Sequence, residues 1–278
     1  MVLASKLDKN RISRSFHDLK QKREAALICY IVAGFPDLKT SEKIIETLVR
    51  AGADIIEIGI PFSDPIADGQ SIQEASHHAL IHGVTPQQCV TLARTTRKKF
   101  PELPLLIMTY SNILFRTGLE AFMSKARVAG VDGFILPDMS IEESKEYLRI
   151  SHELGLASVF IVSPNTERKR AYRIINASTG FLYVISLYGV TGVRNTLDDH
   201  SIRKINAVRK FAKPSLPIAV GFGIQNQAHV SMMVSAGADG VIVGSALVNI
   251  IRRKSGHNLE MLDDLYDFVR QMKKACSR

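Results

Sequence analysis

Two carboxylates in contrasting surroundings are the residues of this sequence best suited to acid–base chemistry. Glu57 stands within the isoleucine-rich stretch Ile55–Ile60, and Asp68 follows in a short polar loop that ends at Gly69. Burial among isoleucines disfavours the charged form of a carboxyl and raises its pKa toward neutrality, where the group can both donate and accept a proton. Asp68 is expected to stay ionised in its loop. Two carboxyls whose environments separate their pKa values indicate a general acid–base site.

Structural roles for the same residues stay open at this point. Glu57 could belong to a buried ion pair, although no residue of its strand supplies a cation. Asp68 directly precedes a stretch with helical character, so an N-cap or Asx-turn role fits its position at least as well. Asp64 stands before Pro65, where turn formation explains it better than catalysis does.

The elements that must position these carboxylates repeat along the chain. Ala51-Gly-Ala-Asp, Ala129-Gly-Val-Asp and Ala236-Gly-Ala-Asp each join the end of a helical pattern to a short apolar run. Glycine after a helix permits the left-handed turn that ends it, and short apolar runs are typical of buried parallel strands. Eight strands are predicted, at Ala26–Ala33, Ile55–Ile60, Leu105–Thr109, Gly133–Leu136, Ala157–Val162, Phe181–Ser186, Ile218–Gly221 and Gly240–Val243.

Helical patterns separate these strands, which predicts one (β/α)8 TIM barrel as a single domain over residues 1–278. Extra helices are expected after the second and eighth strands, and residues 1–15 form a basic N-terminal head. The rival is a doubly wound sheet, which has fewer strands. Catalytic groups of such barrels lie at the C-terminal ends of strands and in the loops that follow, so Glu57 and Asp68 belong at the same mouth.

Composition excludes several other classes of protein. No apolar run reaches the ~18 residues needed to span a bilayer. The formal net charge is +9, but residues 1–23 hold seven Lys or Arg against two Asp, and no nucleic-acid-binding module is evident. Three widely spaced cysteines, Cys29, Cys89 and Cys276, fit reduced thiols in a cytoplasmic protein.

Glycine-bearing turns after the last three predicted strands indicate a phosphate site. They are Gly189-Val-Thr-Gly192, Gly221-Phe-Gly-Ile224 and Gly244-Ser-Ala-Leu247. Glycine exposes backbone N–H groups to a ligand, and Gly244-Ser245 is expected to open a short helix, Ala246–Ile251, whose N-terminus attracts anions. Each turn alone is equally consistent with an ordinary loop.

The predicted strands carry no lysine for a Schiff base and no set of metal ligands. His77, His78 and His82 could form a metal-binding face, but a solvated helix surface explains them better. Tyr110 and Tyr183 stand near strand ends, where they either shape the site or pack in the core. Catalysis is therefore expected to depend on carboxylates.

The chain resembles the alpha subunit of tryptophan synthase along nearly its whole length. The most specific segment is Glu57-Ile-Gly-Ile-Pro-Phe-Ser-Asp-Pro-Ile-Ala-Asp-Gly69. It is supported by Gly83-Val-Thr-Pro86, Leu136-Pro-Asp138 and the three glycine turns. The resemblance implies cleavage of indole-3-glycerol phosphate to indole and glyceraldehyde 3-phosphate, with Glu57 as acid and base and Asp68 as partner of the indole N–H.

The resemblance also implies the remaining contacts of the site. Tyr183, Tyr110, Phe222, Ile72, Met108 and Thr191 would bind the substrate, and Gly192, Gly223, Gly244 and Ser245 would bind its phosphate. No metal or cofactor is implied for this chain. Pyridoxal phosphate is expected only in a beta subunit that receives indole within an alpha2beta2 heterotetramer. The alternatives are another phosphate-binding TIM-barrel enzyme, or a non-catalytic activator of the beta subunit.

Overall fold

The computed structural model describes residues 10–163, 166–185, 205, 208–210, 213, 215–221, 223–254 and 256–278. Within these ranges, nine strands form one parallel sheet. They are Ala26–Val32 (β1), Ile55–Gly59 (β2), Leu105–Met108 (β3), Gly133–Ile135 (β4), Ala157–Val159 (β5), Ile161–Val162 (β6), Leu182–Ile185 (β7), Ile218–Gly221 (β8) and Gly240–Val243 (β9).

The sheet closes into a barrel. Its strand order is β5-β4-β3-β2-β1-β9-β8-β7-β6, and the two outermost strands are separated in the chain by Phe160 alone. The predicted fifth strand, Ala157–Val162, is therefore one bent strand whose first half pairs with β4 and whose second half pairs with β7. The TIM-barrel prediction is confirmed, with this bend as the difference.

Helices surround the barrel. In the described ranges they are Arg11–Gln21 (α1), Leu38–Arg50 (α2), Gln70–Ile81 (α3), Pro86–Lys99 (α4), Ser111–Thr117 (α5), Leu119–Val128 (α6), Lys145–Leu154 (α7), Arg168–Ala177 (α8), Gln227–Ser235 (α9), Ser245–Arg253 (α10) and Asn258–Lys274 (α11). Two helices follow β2, and two follow β9. No helix of the described residues combines the length and apolar character needed to cross a membrane.

Helix α1 covers the N-terminal end of the barrel. Phe16 on this helix packs against Phe181, with ring centroids 5.7 Å apart. A Cβ atom at Gly240 would lie only 3.2 Å from the Phe16 ring and 3.3 Å from Ala219, so small inward-facing residues make room for the phenylalanine. Part of the predicted basic head is thus a structural plug, and residues 1–9 lie outside the described residues.

The three repeats have a shared structural purpose that their sequence did not reveal. Gly52, Gly130 and Gly237 have φ of 111°, 93° and 95°, which confirms the predicted left-handed helix ends. The aspartate two residues later accepts a hydrogen bond from a backbone N–H at the start of the neighbouring strand. The pairs are Asp54 with Leu27 at 2.7 Å, Asp132 with Leu105 at 2.9 Å, and Asp239 with Ile218 at 2.9 Å.

Candidate active site

Glu57 points into the barrel from the middle of β2. It is register partner to Tyr30 on β1 and to Leu106 on β3. Register partners in a parallel sheet face the same side, so these three side chains lie next to one another on the inner face. Glu57 is only 1% exposed.

The electrostatic surroundings of Glu57 favour its neutral form. Within the described part of the chain no cation pairs with it, and its Oε2 atom has no hydrogen-bond partner. Burial, and secondarily the charge of Asp68, raise the pKa of Glu57 to about 8. The group is therefore protonated in most molecules at neutral pH, and the interpretation as a buried ion pair is wrong for the described residues.

Asp68 is more buried than its loop sequence predicts. It is 5% exposed, and its Oδ2 accepts a hydrogen bond of 3.0 Å from the Tyr110 hydroxyl. Burial raises the pKa of Asp68 to about 6, against the lowering effect of the Tyr110 bond. The predicted polar environment is wrong, because the Tyr110 ring lies over the loop and stacks on Phe62 at 4.9 Å. Asp68 still titrates below neutral pH and is mostly ionised there.

Asp68 is not the N-cap of the helix that follows it. The N-cap of α3 is Gly69, which makes no side-chain capping bond. Asp64, by contrast, is exposed and its carbonyl closes a turn onto Ile66 at 2.9 Å, as its sequence position indicates.

Two further tyrosine hydroxyls enter the same space as the carboxylates. A Cβ atom at Gly59 would overlap the hydroxyl of Tyr30, and one at Gly221 would overlap that of Tyr183. Each glycine therefore leaves the space into which a tyrosine of the neighbouring strand reaches. Burial raises the pKa of both tyrosines, and the charges of Glu57 and Asp68 raise it further.

Tyr30 is the residue that the sequence analysis missed. Its sequence neighbours predict only an apolar strand, although a lone hydroxyl among aliphatic residues is the same kind of signal as Glu57 among isoleucines. Tyr110 follows the end of β3 by two residues and is 4% exposed, whereas Tyr183 is the second residue of β7 and is 6% exposed.

The predicted phosphate region is partly within the described residues. Helix α10 begins at Ser245, one residue earlier than predicted, and its N-cap Gly244 makes no side-chain capping bond. The first N–H groups of a helix have no partner within it, so this end can accept an anion. Gly223, at φ 79°, follows β8. Gly192, Thr191 and Phe222 lie outside the described residues.

The apolar candidates lie on the elements that carry the carboxylates. Met108 ends β3 opposite Gly59 and is 9% exposed. Ile72 lies in the first turn of α3, partly buried against the core. Their placement is compatible with the wall of a pocket for a flat ring.

His77, His78 and His82 belong to no metal-binding cluster among the described residues. The Nε2 atom of His78 lies 3.0 Å from the carbonyl oxygen of Pro36, and its ring stacks on His82 at 4.3 Å. Across the described ranges, no group of three or more His, Cys, Asp or Glu side chains is placed to hold a metal ion.

Comparison with known proteins identifies the family of this chain. The family model described as tryptophan synthase alpha chain matches residues 16–277. A tryptophan synthase alpha chain from Methanothermobacter thermautotrophicus is 40% identical over 264 residues, which cover 95% of this chain and 97% of the relative.

Solved structures agree with the sequence relatives. A structure from Aquifex aeolicus VF5 matches with a TM-score of 0.87 at 38% identity, covering 97% of this chain and all of the other. The tryptophan synthase subunit alpha of Legionella pneumophila matches with a TM-score of 0.88 at 32% identity, covering 96% and 98% of the two chains. The chain therefore belongs to the tryptophan synthase alpha chain family.

Proposed function

We propose that this chain cleaves indole-3-glycerol phosphate, the carbon–carbon lyase reaction of its family, with Glu57 as the proton carrier and Asp68 as the group that stabilises charge on the indole ring. The observation that carries the assignment is the cation-free burial of Glu57 beside Asp68. The buried structural carboxylate Asp132 pairs with Arg97 and Arg11, whereas no cation of the described residues pairs with Glu57.

Glu57 begins the reaction in its protonated form. It delivers its proton to indole C3, which leaves a positive charge delocalised onto the ring nitrogen. The resulting carboxylate then takes the proton of the hydroxyl on the adjacent glycerol carbon. As that carbon becomes the aldehyde, the carbon–carbon bond breaks and its electron pair returns to C3, so neutral indole is released and Glu57 is protonated again. General acid–base catalysis of this kind contributes roughly 10²–10⁴ in rate.

Asp68 acts as an anion in this sequence. Its carboxylate accepts the indole N–H and stabilises the positive charge that develops on the ring after protonation. The hydrogen bond from Tyr110 fixes one oxygen of Asp68 and favours its ionised form. The two carboxyls therefore need different protonation states at the same pH, which their pKa values of about 8 and about 6 support.

The phosphate group is assigned to the backbone around Gly192, Gly223, Gly244 and Ser245. The uncapped N-terminus of α10 supports this assignment. Ile72, Met108 and Phe222 would line the indole pocket, and Thr191 and Tyr183 would complete the substrate contacts.

The indole ring itself serves as the electron sink, so this chemistry requires no cofactor from the alpha chain. We further propose a beta subunit as partner, in an alpha2beta2 assembly in which pyridoxal phosphate belongs to the beta subunit and indole passes to it. A cytoplasmic location fits the three buried, unpaired cysteines.

The decisive experiment supplies indole-3-glycerol phosphate to the purified chain and measures indole. Asp68→Asn is expected to lower the rate by at least about 10² while thermal unfolding stays close to that of the parent. Wild type that yields no indole with or without a beta subunit would favour another phosphate-binding barrel activity. Indole formation without any partner rules out the non-catalytic activator.

A further inference from the structure

We infer that the Tyr30 hydroxyl binds the second hydroxyl of the substrate's glycerol chain, the one on the carbon between the cleaved bond and the phosphate-bearing carbon. Tyr30 would thus be a specificity-determining residue of the site. The inference rests on the proposed function, since it concerns how the same substrate is recognised.

The side chain of Tyr30 bridges two parts of the site. A Cβ atom at Gly244 would lie 3.2 to 3.5 Å from Tyr30 Cδ1, Cβ and Cγ, so the root of the side chain lies against the N-cap of α10. Its hydroxyl reaches the space beside Gly59, two residues after Glu57 on the same face of β2. Tyr30 therefore runs from the anion-accepting end of α10 to the proton carrier, which is the path that a glycerol chain must span.

The hydroxyl of Tyr30 retains its hydrogen-bonding capacity. Among the described residues none forms a hydrogen bond with it, and the same is true of Glu57 Oε2 on the neighbouring strand. A buried polar group without a partner destabilises the folded protein until a ligand supplies one. The buried Glu57 Oε2 atom and the Tyr30 hydroxyl stand at matched register, where a polyhydroxyl ligand can bond to both.

The two glycerol hydroxyls of the substrate have different chemical roles, which assign one to Glu57 and the other to Tyr30. The hydroxyl on the cleaved carbon must give its proton to a base, and that base is Glu57. The second hydroxyl takes no part in bond cleavage and needs only a hydrogen-bonding partner nearer the phosphate. Tyr30 lies between Glu57 and Gly244, where that hydroxyl is expected.

The other two tyrosines of the site approach the carboxylates from other elements of the barrel. The Tyr110 hydroxyl donates to Asp68 and accepts from the Ala67 N–H, both at 3.0 Å. Tyr183 extends from β7 toward Gly221 on β8. Tyr30 is the hydroxyl adjacent to Glu57 through a direct strand pairing.

The test is a double-mutant-type cycle that combines one substitution in the protein with the removal of one hydroxyl from the substrate. Wild type and Tyr30→Phe are each assayed with indole-3-glycerol phosphate and with its analogue that lacks the second hydroxyl. The analogue keeps the hydroxyl that is deprotonated, so it stays cleavable. The readout is the ratio of kcat/KM for the two substrates within one protein preparation, which cancels any difference in the fraction of folded enzyme.

Wild type is expected to favour the full substrate by roughly tenfold, and Tyr30→Phe to reduce this preference to within about twofold. Tyr147→Phe is the matched control and should leave the ratio unchanged. Tyr147 lies on the outer helix α7, and its buried hydroxyl donates to the carbonyl of Phe134 on β4.

A Tyr30→Phe variant that slows both substrates equally, or neither, overturns the inference while cleavage of the full substrate upholds the proposed function. Wild type that yields no indole from the full substrate overturns the proposed function itself. The two failures are therefore distinguishable in one set of assays.

Discussion

The two ends of the barrel place buried carboxylates in opposite electrostatic settings. At the N-terminal end, Asp132 is 2% exposed and pairs with Arg97 at 2.7 Å and Arg11 at 2.9 Å. At the mouth, Glu57 and Asp68 are about as buried, but no described cation pairs with either of them. Burial is common to both ends, so the supply of counter-charge is what separates a structural acid from a reactive one.

The pKa values follow this division. Burial alone would raise the pKa of Asp239, yet its bonds from Arg209, the Ile218 N–H and Arg278 bring the net pKa below the ordinary value. Burial raises that of Glu57 to about 8, because nothing offsets it. Asp54 is intermediate, since burial raises its pKa even with Lys273 at 2.8 Å. Asp54 and Asp239 each accept one backbone N–H, but Asp239 has two arginines where Asp54 has one lysine, so the second cation is what outweighs desolvation.

The largest effect is expected from a substitution at the mouth of the barrel that leaves the N-terminal end unchanged. Glu57→Gln should lower kcat by roughly 10²–10⁴, because the amide cannot carry the proton. Substrate binding by calorimetry should persist, since the shape of the side chain is kept. Glu153→Gln on the exposed face of α7 is the control and should retain full activity. Substantial turnover by Glu57→Gln would remove Glu57 from the mechanism.

The second prediction concerns the ion pairs of Asp132 at the N-terminal end of the barrel. Asp132→Asn leaves the partly buried Arg97 and Arg11 without their anion, and breaking such a pair costs about 3–5 kcal/mol. Urea unfolding should show this loss, whereas kcat per folded molecule should change little. The exposed pair Arg149–Glu153 offers the comparison, because Glu153→Gln should cost at most about 1 kcal/mol. Equal losses in the two variants would contradict the assigned difference between the ends.

The third prediction concerns stability as a function of pH. The folded protein holds the Glu57 proton up to a pKa of about 8, whereas the unfolded chain loses it near the ordinary glutamate pKa of 4.5. The folded state therefore binds more protons in this window, and the free energy of unfolding should fall as pH rises, by up to about 1.4 kcal/mol per pH unit. Glu57→Gln should flatten this slope in urea titrations between about pH 5 and pH 8. Identical slopes in the two proteins would refute the raised pKa.

The smallest effect is expected from a change in the pKa of Asp68. Tyr110→Phe removes the hydroxyl that favours ionised Asp68, so the acid limb of the kcat/KM profile should move to higher pH by about one unit. The control Tyr147→Phe should leave the limb in place. A shift to lower pH would show that Asp68 is not the group that must be ionised.

Local pattern was sufficient for the barrel but not for its long-range contacts. Alternating helical and apolar segments predicted eight strands, because buried parallel strands are short apolar runs whatever surrounds them. Helix α5 escaped prediction because its first turn is held by Asp138, which accepts the Ser111 N–H at 2.9 Å from 27 residues away. Helix α7 begins at Lys145, after a turn in which the Ser144 hydroxyl donates to the Ile141 carbonyl.

The site shows the same limit. Glu57 was predictable because its own strand neighbours bury it. The burial of Asp68 was not, because the side chain that covers it, Tyr110, comes from 42 residues further along the chain. The reach of Tyr30 depends on the missing side chain of Gly59 on another strand, which a single-sequence pattern does not reveal.

The bend at Phe160 has a consequence for association with other chains. Both outer strands of the ladder, β5 and β6, are halves of one continuous segment, so among the described strands neither stands as a separate border with a long row of vacant backbone donors and acceptors. Such borders are where foreign strands attach and aggregates grow. The bend of the strand at Phe160 thereby protects the sheet from adding strands of other chains.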